Sequence, residues 1–580
     1  MTTTPGGLLL AMAVLVPFVG VLAGLVLGGR NPQRVALLTL VLGLGIAAAI
    51  ADAYLRSGEA VVYLLGGWEP PLGVALRADG LSVVMLLAVA VVIGGIGVYA
   101  CADFGTPPGE PEARRPFTFW LLLLAVWGSI NLVFVSGDLF TLYVALELLT
   151  FAGVPLVCLD GRGETLRAAL RYLLFALLGS VLYLLGAVLL YGTYGTLDIP
   201  LLAERVRPEP AAWAAAALMT TGLLAKTALF PLHLWLPPAH AGAPAAASAV
   251  LSALVVKGSW FLVVRLWFDV MPGVVTFPSA QLLGALGAAA ILIFSVVALR
   301  QERLKLLIAY STLAQIGYLF LMFPLAFDPA AGLLDDGSAL AGGMLQTISH
   351  ATAKAAMFMA AGSIYAALGN DRIAGLAGIA RAMPISVLAF ALGGVALMGI
   401  LPSGAYLAKK LLLEAAAGSG QWWWEVVLQA GGVLTGSYVV LVLAYALRRA
   451  GAPVELKKSV SRIAQAAALA LAVCSLLLAG AALGPLPRTL LKNPLALAEL
   501  APVLLTVLGG GALAVGFGFR PPRLPVGDAA SAIGGPVRRA TLAVGGAFER
   551  ADGVLRRWPV ASIALLLVAA LFGWTLVAGR

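Results

Sequence analysis

The sequence predicts an all-α polytopic membrane protein that crosses the bilayer about sixteen times. Of its 580 residues, 61% are hydrophobic and only 11% are charged, whereas a soluble protein carries about 25% charged residues. The mean hydropathy is +1.00. Sixteen apolar stretches approach the roughly 20 residues that a helix needs to span a bilayer. They lie at 7–28, 35–54, 79–102, 116–136, 138–158, 166–194, 211–231, 244–268, 275–299, 304–325, 340–367, 384–417, 424–447, 460–484, 496–519 and 559–578.

The distribution of lysine and arginine predicts how these spans are oriented. The loops that follow odd-numbered spans, together with the adjoining span ends, hold 24 basic residues. The loops that follow even-numbered spans, together with the C-terminus, hold 8. Basic residues favour the cytoplasmic side of a membrane. We therefore expect both termini on the non-cytoplasmic side of a cell membrane. The first apolar run has no basic residue before it, which indicates a span and not a cleaved signal.

The polar composition excludes several kinds of site. The net charge of +10 is not accompanied by a basic and aromatic nucleic-acid face. The three cysteines form no C-x-x-C pair, the three histidines lack metal-ligand spacing, and there is no phosphate-binding glycine motif. These residues are Cys101, Cys158, Cys474, His233, His240 and His350. We therefore expect no metal and no cofactor in this chain, so any redox chemistry belongs to another subunit and enzyme status stays open.

The first three spans include a short β-structure. Residues 59–78 are rich in β-branched and aromatic side chains and contain Gly66-Gly67 and Pro70-Pro71. Such turn signals between apolar runs predict a hairpin. We expect it outside the membrane, above the second and third spans.

Glu147 lies near the middle of the fifth span, and Asp138 at its start is expected to cap the helix. A carboxylate at this depth is a candidate for ion transport, with a local hydrogen bond to a neighbouring helix as the alternative.

The segment 223–265 carries Lys226 and Lys257 within apolar runs. A lysine at mid-membrane costs roughly 2.5–3.5 kcal/mol on insertion scales. Pro231, five residues after Lys226, should break the helix, and broken helices in membranes line protein-enclosed or water-filled cavities. An ion path is therefore predicted; the alternative is that the lysines extend to the interface.

Later spans carry further polar groups at helical spacing. In the tenth span these are Ser311, Thr312 and Gln315, which fit either packing or a water path. In the eleventh, His350 and Lys354 are four residues apart and share a helix face. In the twelfth, Pro402 precedes Lys409 and Lys410. The eleventh and twelfth stretches are long, which predicts a break in each.

Several of these motifs resemble one family. PLHLWLP (231–237), AGAPAAASA (241–249), AYSTLAQIGY (309–318) and HATAKAAMF (350–358) are similar to segments of the antiporter-like subunits of complex I, Mrp antiporters and membrane-bound hydrogenases. The resemblance covers roughly 60–450. It departs slightly at Ala408, where the family has glycine before the charged residue.

The resemblance implies two inverted five-helix repeats with broken helices in spans 7 and 12. The implied divisions are 1–115, 116–270 (spans 4–8), 271–450 (spans 9–13) and 451–580. Within the last, the residues themselves predict an amphipathic helix on the cytoplasmic surface, because 521–557 is basic with apolar side chains such as Ile533 and Val537 among its arginines. The resemblance also implies that Glu147 pairs with Lys226 and that protons pass through Lys257, His350 and Lys354 to Lys409.

The resemblance further implies a proton-translocating subunit of a larger membrane complex, and leaves exchange for sodium open. Three alternatives stay open at this point: a module of a redox-driven pump, an Mrp-type antiporter subunit, and a membrane scaffold for inorganic carbon uptake. Each would have other membrane subunits as partners. The embedded charges argue against a pure scaffold.

Overall fold

The computed structural model describes residues 2–106, 113–328, 331–334, 337–451, 453–481, 501, 503–516 and 528–579, with the side chains in 479–481 and 528–538 excepted. Within these ranges it is a bundle of helices, twelve of which are long and apolar enough to cross a membrane. They are Leu8–Leu27, Asn31–Ser57, Gly80–Asp103, Arg114–Val135, Leu139–Val157, Gly163–Tyr194, Ala245–Val270, Phe277–Leu299, Leu304–Ala326, Ser338–Leu368, Trp422–Leu447 and Trp558–Ala578. The chain is therefore a multi-pass membrane protein.

Shorter helices occupy the positions of the other predicted spans. They are Pro210–Thr227, the pair Pro384–Leu397 and Gly404–Gly418, Arg462–Ala481, and the pair Leu505–Gly509 and Gly510–Gly516. The fifteenth predicted span, 496–519, lies only partly within the described residues. The count of sixteen therefore stays a prediction. Connecting helices are Ile199–Arg205, Leu236–Gly242 and Ile379–Ala382, with single turns at Leu65–Gly67 and Ile373–Gly375.

The predicted hairpin is present. Strands Val61–Leu64 and Ala75–Ala78 pair antiparallel, with Val61 opposite Ala78. A second, smaller pair joins Phe327–Asp328 to Leu333–Leu334. Asp79, directly after the first hairpin, caps the helix Gly80–Asp103 by accepting from Ser82 N at 3.0 Å.

The helix that carries Lys226 ends at Thr227 and the chain is helical again only from Leu236. Pro231 cannot continue this helix, because a proline ring clashes with the carbonyl four residues earlier. Here that carbonyl belongs to Thr227, the last residue of the helix. Ala228 takes a left-handed conformation with φ 60° at this point. The indole of Trp235 donates to Ala225 O at 3.1 Å, which satisfies one carbonyl freed by the break.

The twelfth stretch is interrupted in the same way. One helix ends at Leu397, the next begins at Gly404, and Pro402 lies between them. Ser403 caps the second helix by accepting from Tyr406 N at 3.1 Å.

The prediction of a break in the eleventh stretch is wrong. Residues Ser338–Leu368 form one continuous helix of 31 residues. The stretch contains no proline, and its length reflects a helix longer than the roughly 20 residues that a bilayer requires. His350 and Lys354 therefore lie on an uninterrupted helix.

Two glycines bring the sixth-span helix against the Lys226 helix. A Cβ on Gly222 would lie 2.2 Å from Gly179 O, and one on Gly179 would lie 2.6 Å from Gly222 O. Only glycine permits so close an approach of two backbones. Because Ser180 follows Gly179, this crossing places its hydroxyl beside Lys226.

The C-terminal amphipathic prediction corresponds to the helix Asp528–Leu555. Residues 521–527, and the side chains of Ile533 and Val537, lie outside the described residues. Toward its end this helix is packed on the bundle: Asp552, 2% exposed, contacts His233 at 2.9 Å and accepts from Tyr310 OH at 2.8 Å. Arg300 also pairs with Glu549 at 3.2 Å.

Candidate functional site

Glu147 and Lys226 form a buried ion pair. Lys226 Nζ lies 2.9 Å from Glu147 Oε1. The lysine side chain is 6% exposed and the glutamate side chain is 13% exposed. The ammonium also donates to Thr150 Oγ1 at 3.0 Å and Ser180 Oγ at 2.6 Å, and Ser180 in turn donates to Glu147. All three donors of the lysine are therefore used, and Lys226 does not extend to the interface.

The position of Lys226 in its helix adds to this stabilisation. It is the second-last residue of Pro210–Thr227, where the helix dipole and the unpaired carbonyls favour a cation. The break therefore has an electrostatic consequence, because it places a helix C-terminus beside the ammonium.

A small cavity lies beside Lys226. Its volume is about 10 Å³, and Thr150, Lys226 and Ser259 are among its lining residues. This is the lower limit of the space needed for one water molecule. Ser259 is two residues after Lys257 and its hydroxyl lies 2.9 Å from that of Thr227, so polar atoms connect the Lys226 region with the eighth span.

The second cluster combines Lys257, His350 and Lys354. Lys257 Nζ lies 2.6 Å from His350 Nδ1 and also donates to Ser252 O. Lys354 donates to Ser311 Oγ and, at 3.3 Å, to Ile308 O. The three ionisable side chains are at most 1% exposed.

A π-helical turn, Leu251–Val255, directly precedes Lys257. Such turns are rare and occur frequently at functional sites. The hydroxyl of Ser252, within this turn, lies 2.9 Å from that of Thr312, which joins the eighth span to the polar residues of the tenth.

The tenth-span polar residues extend from this cluster toward the thirteenth span. Gln315 donates to Thr435 Oγ1 at 3.1 Å and accepts from Gln346 Nε2 at 3.0 Å. Its amide also lies 3.4 Å from Tyr438 OH. Ser311, Thr312 and Gln315 are all fully buried, and together they form a polar strip between the helices.

Lys409 lies near the thirteenth span, apart from the second cluster. Its ammonium donates to Gln429 Oε1 at 3.0 Å. A Cβ at Gly432 would lie 2.9 Å from Lys409 Nζ, so glycine leaves room for the ammonium. Lys410 points elsewhere and lies over the ring of Tyr406, 5.7 Å from its centroid. The structure therefore distinguishes the two adjacent lysines.

Sequence reasoning missed several groups. Thr150 and Ser180 hold the Lys226 ammonium, and nothing in their local sequence distinguishes them from packing residues. Lys305, His240 and Asp552 are also buried. A buried lysine or carboxylate is a detectable signal, but the segment around Asp552 has the charge pattern of a surface helix, and Lys305 lies at a predicted span end.

The central part of the chain matches a known family. Residues 136–435 match the family described as "NADH:quinone oxidoreductase/Mrp antiporter, TM". An NADH-quinone oxidoreductase subunit from Desulforudis audaxviator is 32% identical over 397 residues, which cover 68% of this chain and 76% of that protein. The chain belongs to this family.

Other family members and solved structures agree with this membership. A Na⁺/H⁺ antiporter subunit from Alkalihalophilus pseudofirmus is 28% identical over 446 residues, covering 76% of this chain and 86% of the relative. A chain of an archaeal membrane-bound sulfane sulfur reductase has a TM-score of 0.72 at 24% identity, covering 87% of this chain and 97% of that one. A chain of the Mrp complex from Dietzia has a TM-score of 0.71 at 23% identity, covering 93% and 99%. Both structures share the fold.

Proposed function

We propose that this family member translocates protons across the cell membrane as one subunit of a multisubunit complex. The observation that carries the proposal is the fully hydrogen-bonded Glu147–Lys226 pair, buried at a helix break. The relatives named above are subunits of an NADH-quinone oxidoreductase and of a Na⁺/H⁺ antiporter. Proton translocation is the activity that both kinds of complex would require of this chain.

The mechanism begins with the ion pair. An ammonium in a protein interior is stabilised by a nearby carboxylate, whereas desolvation favours the neutral amine. Moving Glu147 away from Lys226 would therefore release a proton from Lys226, and restoring the pair would reload it. The release path would run by way of the cavity beside Thr150 and Ser259.

The second cluster would pass the proton onward. Lys257 contacts His350, Lys354 contacts Ser311, and the polar strip of the tenth span reaches Thr435 in the thirteenth span. Lys409 contacts Gln429, six residues before Thr435 on the same helix. In this proposed order the two broken helices, at Pro231 and Pro402, would lie at the two ends of the path. Paired interrupted spans are typical of inverted-repeat transporters, which supports spans 4–8 and 9–13 as the two halves of a sixteen-span protein.

Two forms of this function differ in the source of energy that drives proton translocation. A redox-driven complex would couple electron transfer in partner subunits to Glu147–Lys226, whereas an antiporter would couple sodium entry to it. Neither form requires a cofactor in this chain. The buried charges disfavour a scaffold without transport, because each carries a cost of burial that unused residues would not repay.

The test is proton movement in membrane vesicles that contain the intact complex, followed with a pH-sensitive dye. We expect Lys226→Ala and Glu147→Ala to abolish it at parental protein levels. Driving the vesicles first with electron donors and then with a sodium gradient separates the redox-driven form from the antiporter. Parental proton movement by either variant would refute the proposed role of the pair.

A further inference from the structure

His240 is a buried ring whose two nitrogens lack partners. It is 0% exposed and belongs to the short helix Leu236–Gly242 that follows the first break. Among the described residues, neither Nδ1 nor Nε2 has a hydrogen-bond partner. A neutral imidazole has one donor and one acceptor, and buried polar groups in native proteins are nearly always satisfied by protein or water. Water molecules are therefore the expected partners of both ring nitrogens.

Lys305 lies at the end of the short helix that carries this ring. Its side chain is 7% exposed, and its ammonium donates to Ala243 O. Ala243 is the C-cap of the helix that carries His240. The lysine therefore sits at the end of that helix, and it is itself the second residue of the tenth-span helix Leu304–Ala326.

Lys354 is a second lysine near this ring. The His240 ring stacks on Phe358 with centroids 4.8 Å apart, and Phe358 is one turn beyond Lys354 on the same helix face. Burial lowers the pKa of His240, and the positive charges of Lys305, Lys354 and Lys257 lower it further, to about 3. Because desolvation and like charges both disfavour the imidazolium, the ring is neutral, with one nitrogen able to accept a proton as the other donates one.

The ring is close to a partly exposed loop surface. Gly242, two residues on, is partly exposed, and its carbonyl accepts from Arg162 Nη2 at 3.4 Å. Arg303 donates to Ala241 O at 3.1 Å and pairs with Asp371 at 3.0 Å. These loops follow odd-numbered spans, so the basic-residue pattern predicts that they face the cytoplasm.

We propose that His240 is the proton-transfer group of an inlet that leads from the loop surface at Gly242, past Lys305, to Lys354 and the second cluster. A water on the loop side gives a proton to one ring nitrogen as the other releases its proton to water on the Lys354 side. The ring then turns over about its Cβ–Cγ bond, which brings the protonated nitrogen back to the Lys354 side before the next transfer. The inlet deepens the proposed proton translocation and rests on it.

Side-specific labelling tests the inlet directly. In the intact complex, His240→Cys is treated with a charged, membrane-impermeant methanethiosulfonate from each side, and the modified peptide is measured by mass spectrometry. Ala239→Cys is the matched control, because Ala239 is also 0% exposed and adjacent in the helix. We expect His240→Cys to react from the loop side and Ala239→Cys to stay unmodified. Equal reaction of both, or reaction of neither, would overturn the water-accessible inlet.

Transport with chemical rescue tests the role of the ring. We expect His240→Phe to lower the initial rate of proton movement by about 100-fold or more, the scale of losing a positioned proton-transfer group. His240→Ala should be equally slow but recover when imidazole is added to the loop side, since the small residue leaves space for it. Recovery is not expected for His240→Phe, whose ring fills that space.

The outcomes separate this inlet from the proposed function. A parental rate in His240→Phe, or no imidazole recovery in His240→Ala, would overturn the role of His240 while Lys226→Ala still decides whether the chain translocates protons. A parent complex that moves no protons would overturn the proposed function. In that case the labelling experiment would still decide whether His240 lies in a water-accessible inlet.

Discussion

Neutralising both members of the Glu147–Lys226 pair should restore stability without restoring transport. Lys226 Nζ and Glu147 Oε1 are 2.9 Å apart, so their attraction is about 6 kcal/mol at an effective dielectric constant of about 20. Glu147→Gln keeps the shape and one acceptor but removes the charge. Breaking a buried pair from one side typically costs about 3–5 kcal/mol, because the remaining charge is left uncompensated.

The double variant Glu147→Gln/Lys226→Met has neither charge. Replacing both members of a buried pair by neutral groups is often neutral or stabilising, so we expect its free energy of unfolding to be near that of the parent. Each single variant should be lower by about 3–5 kcal/mol. The double-mutant cycle should therefore show a coupling energy of several kcal/mol, far above the few tenths expected for independent sites.

The assay has two readouts on the same purified protein. Unfolding free energies are measured in mixed micelles, and proton movement is measured after reconstitution of the complex. We expect recovery of stability and absence of transport in the double variant. Additive losses of stability would show that the two charges are not coupled, and transport by the double variant would show that the pair is not part of the proton path.

Four further outcomes are expected. Lys354→Met should assemble and be at least as stable as the parent, because a buried charge is removed, but should lose proton movement in vesicles; full transport would contradict the path. Gly222→Ala should lower the free energy of unfolding by about 1–3 kcal/mol, the usual cost of overpacking, since its Cβ would lie 2.2 Å from Gly179 O; an unchanged value would contradict that helix crossing. Burial raises the pKa of Asp552, but the hydrogen bond and charge of His233 lower it by more, so the pKa of Asp552 in the folded protein lies below 3.8. The stability that this contact contributes should be complete above about pH 4 and should be lost as the pH falls through the pKa of Asp552 in the folded protein. Limited proteolysis of the C-terminal helix at a series of pH values measures this loss, and Asp552→Asn should remove the pH dependence. A reporter fused to the C-terminus should be active only outside the cytoplasm, and activity only inside would show that the predicted number of spans is wrong by one.

The sequence predicted those parts of the fold that depend on local pattern. Apolar stretches located the long helices, turn residues located the hairpin, and Asp138 was identified as a cap, which the structure confirms with bonds from Phe140 N at 3.0 Å and Thr141 N at 2.8 Å. Embedded charges indicated where polar clusters would form. The resemblance, and not the residues alone, suggested that Glu147 meets Lys226.

Contacts between distant segments could not be predicted in this way. Ser180 reaches Lys226 because two glycines let their helices cross closely, a relation between residues more than 40 positions apart. Asp552 lies in a segment whose charge pattern indicates a surface helix, yet the end of that helix is buried against His233. The expected break in the eleventh stretch failed because length was used as a signal where no proline was present.

The two clusters differ in the partners of their buried lysines, which suggests different roles for them in the proposed mechanism. Lys226 has a fixed anion beside it, so its proton is held until Glu147 moves. Among the described residues, Lys257 and Lys354 have no carboxylate within ion-pair distance; their partners are a histidine ring, backbone carbonyls and a hydroxyl. Two ammonium groups and an imidazolium cannot all be charged in one buried cluster, because each would repel the others without a counter-ion. The 2.6 Å contact between Lys257 Nζ and His350 Nδ1 can hold a proton on either atom, so a proton that enters the cluster displaces one already there. In the proposed mechanism the first cluster would therefore store a proton and the second would transfer it. A variant that supplies an anion to the second cluster, Ser311→Asp, should then hold the proton there and stop transport while leaving Lys226 paired.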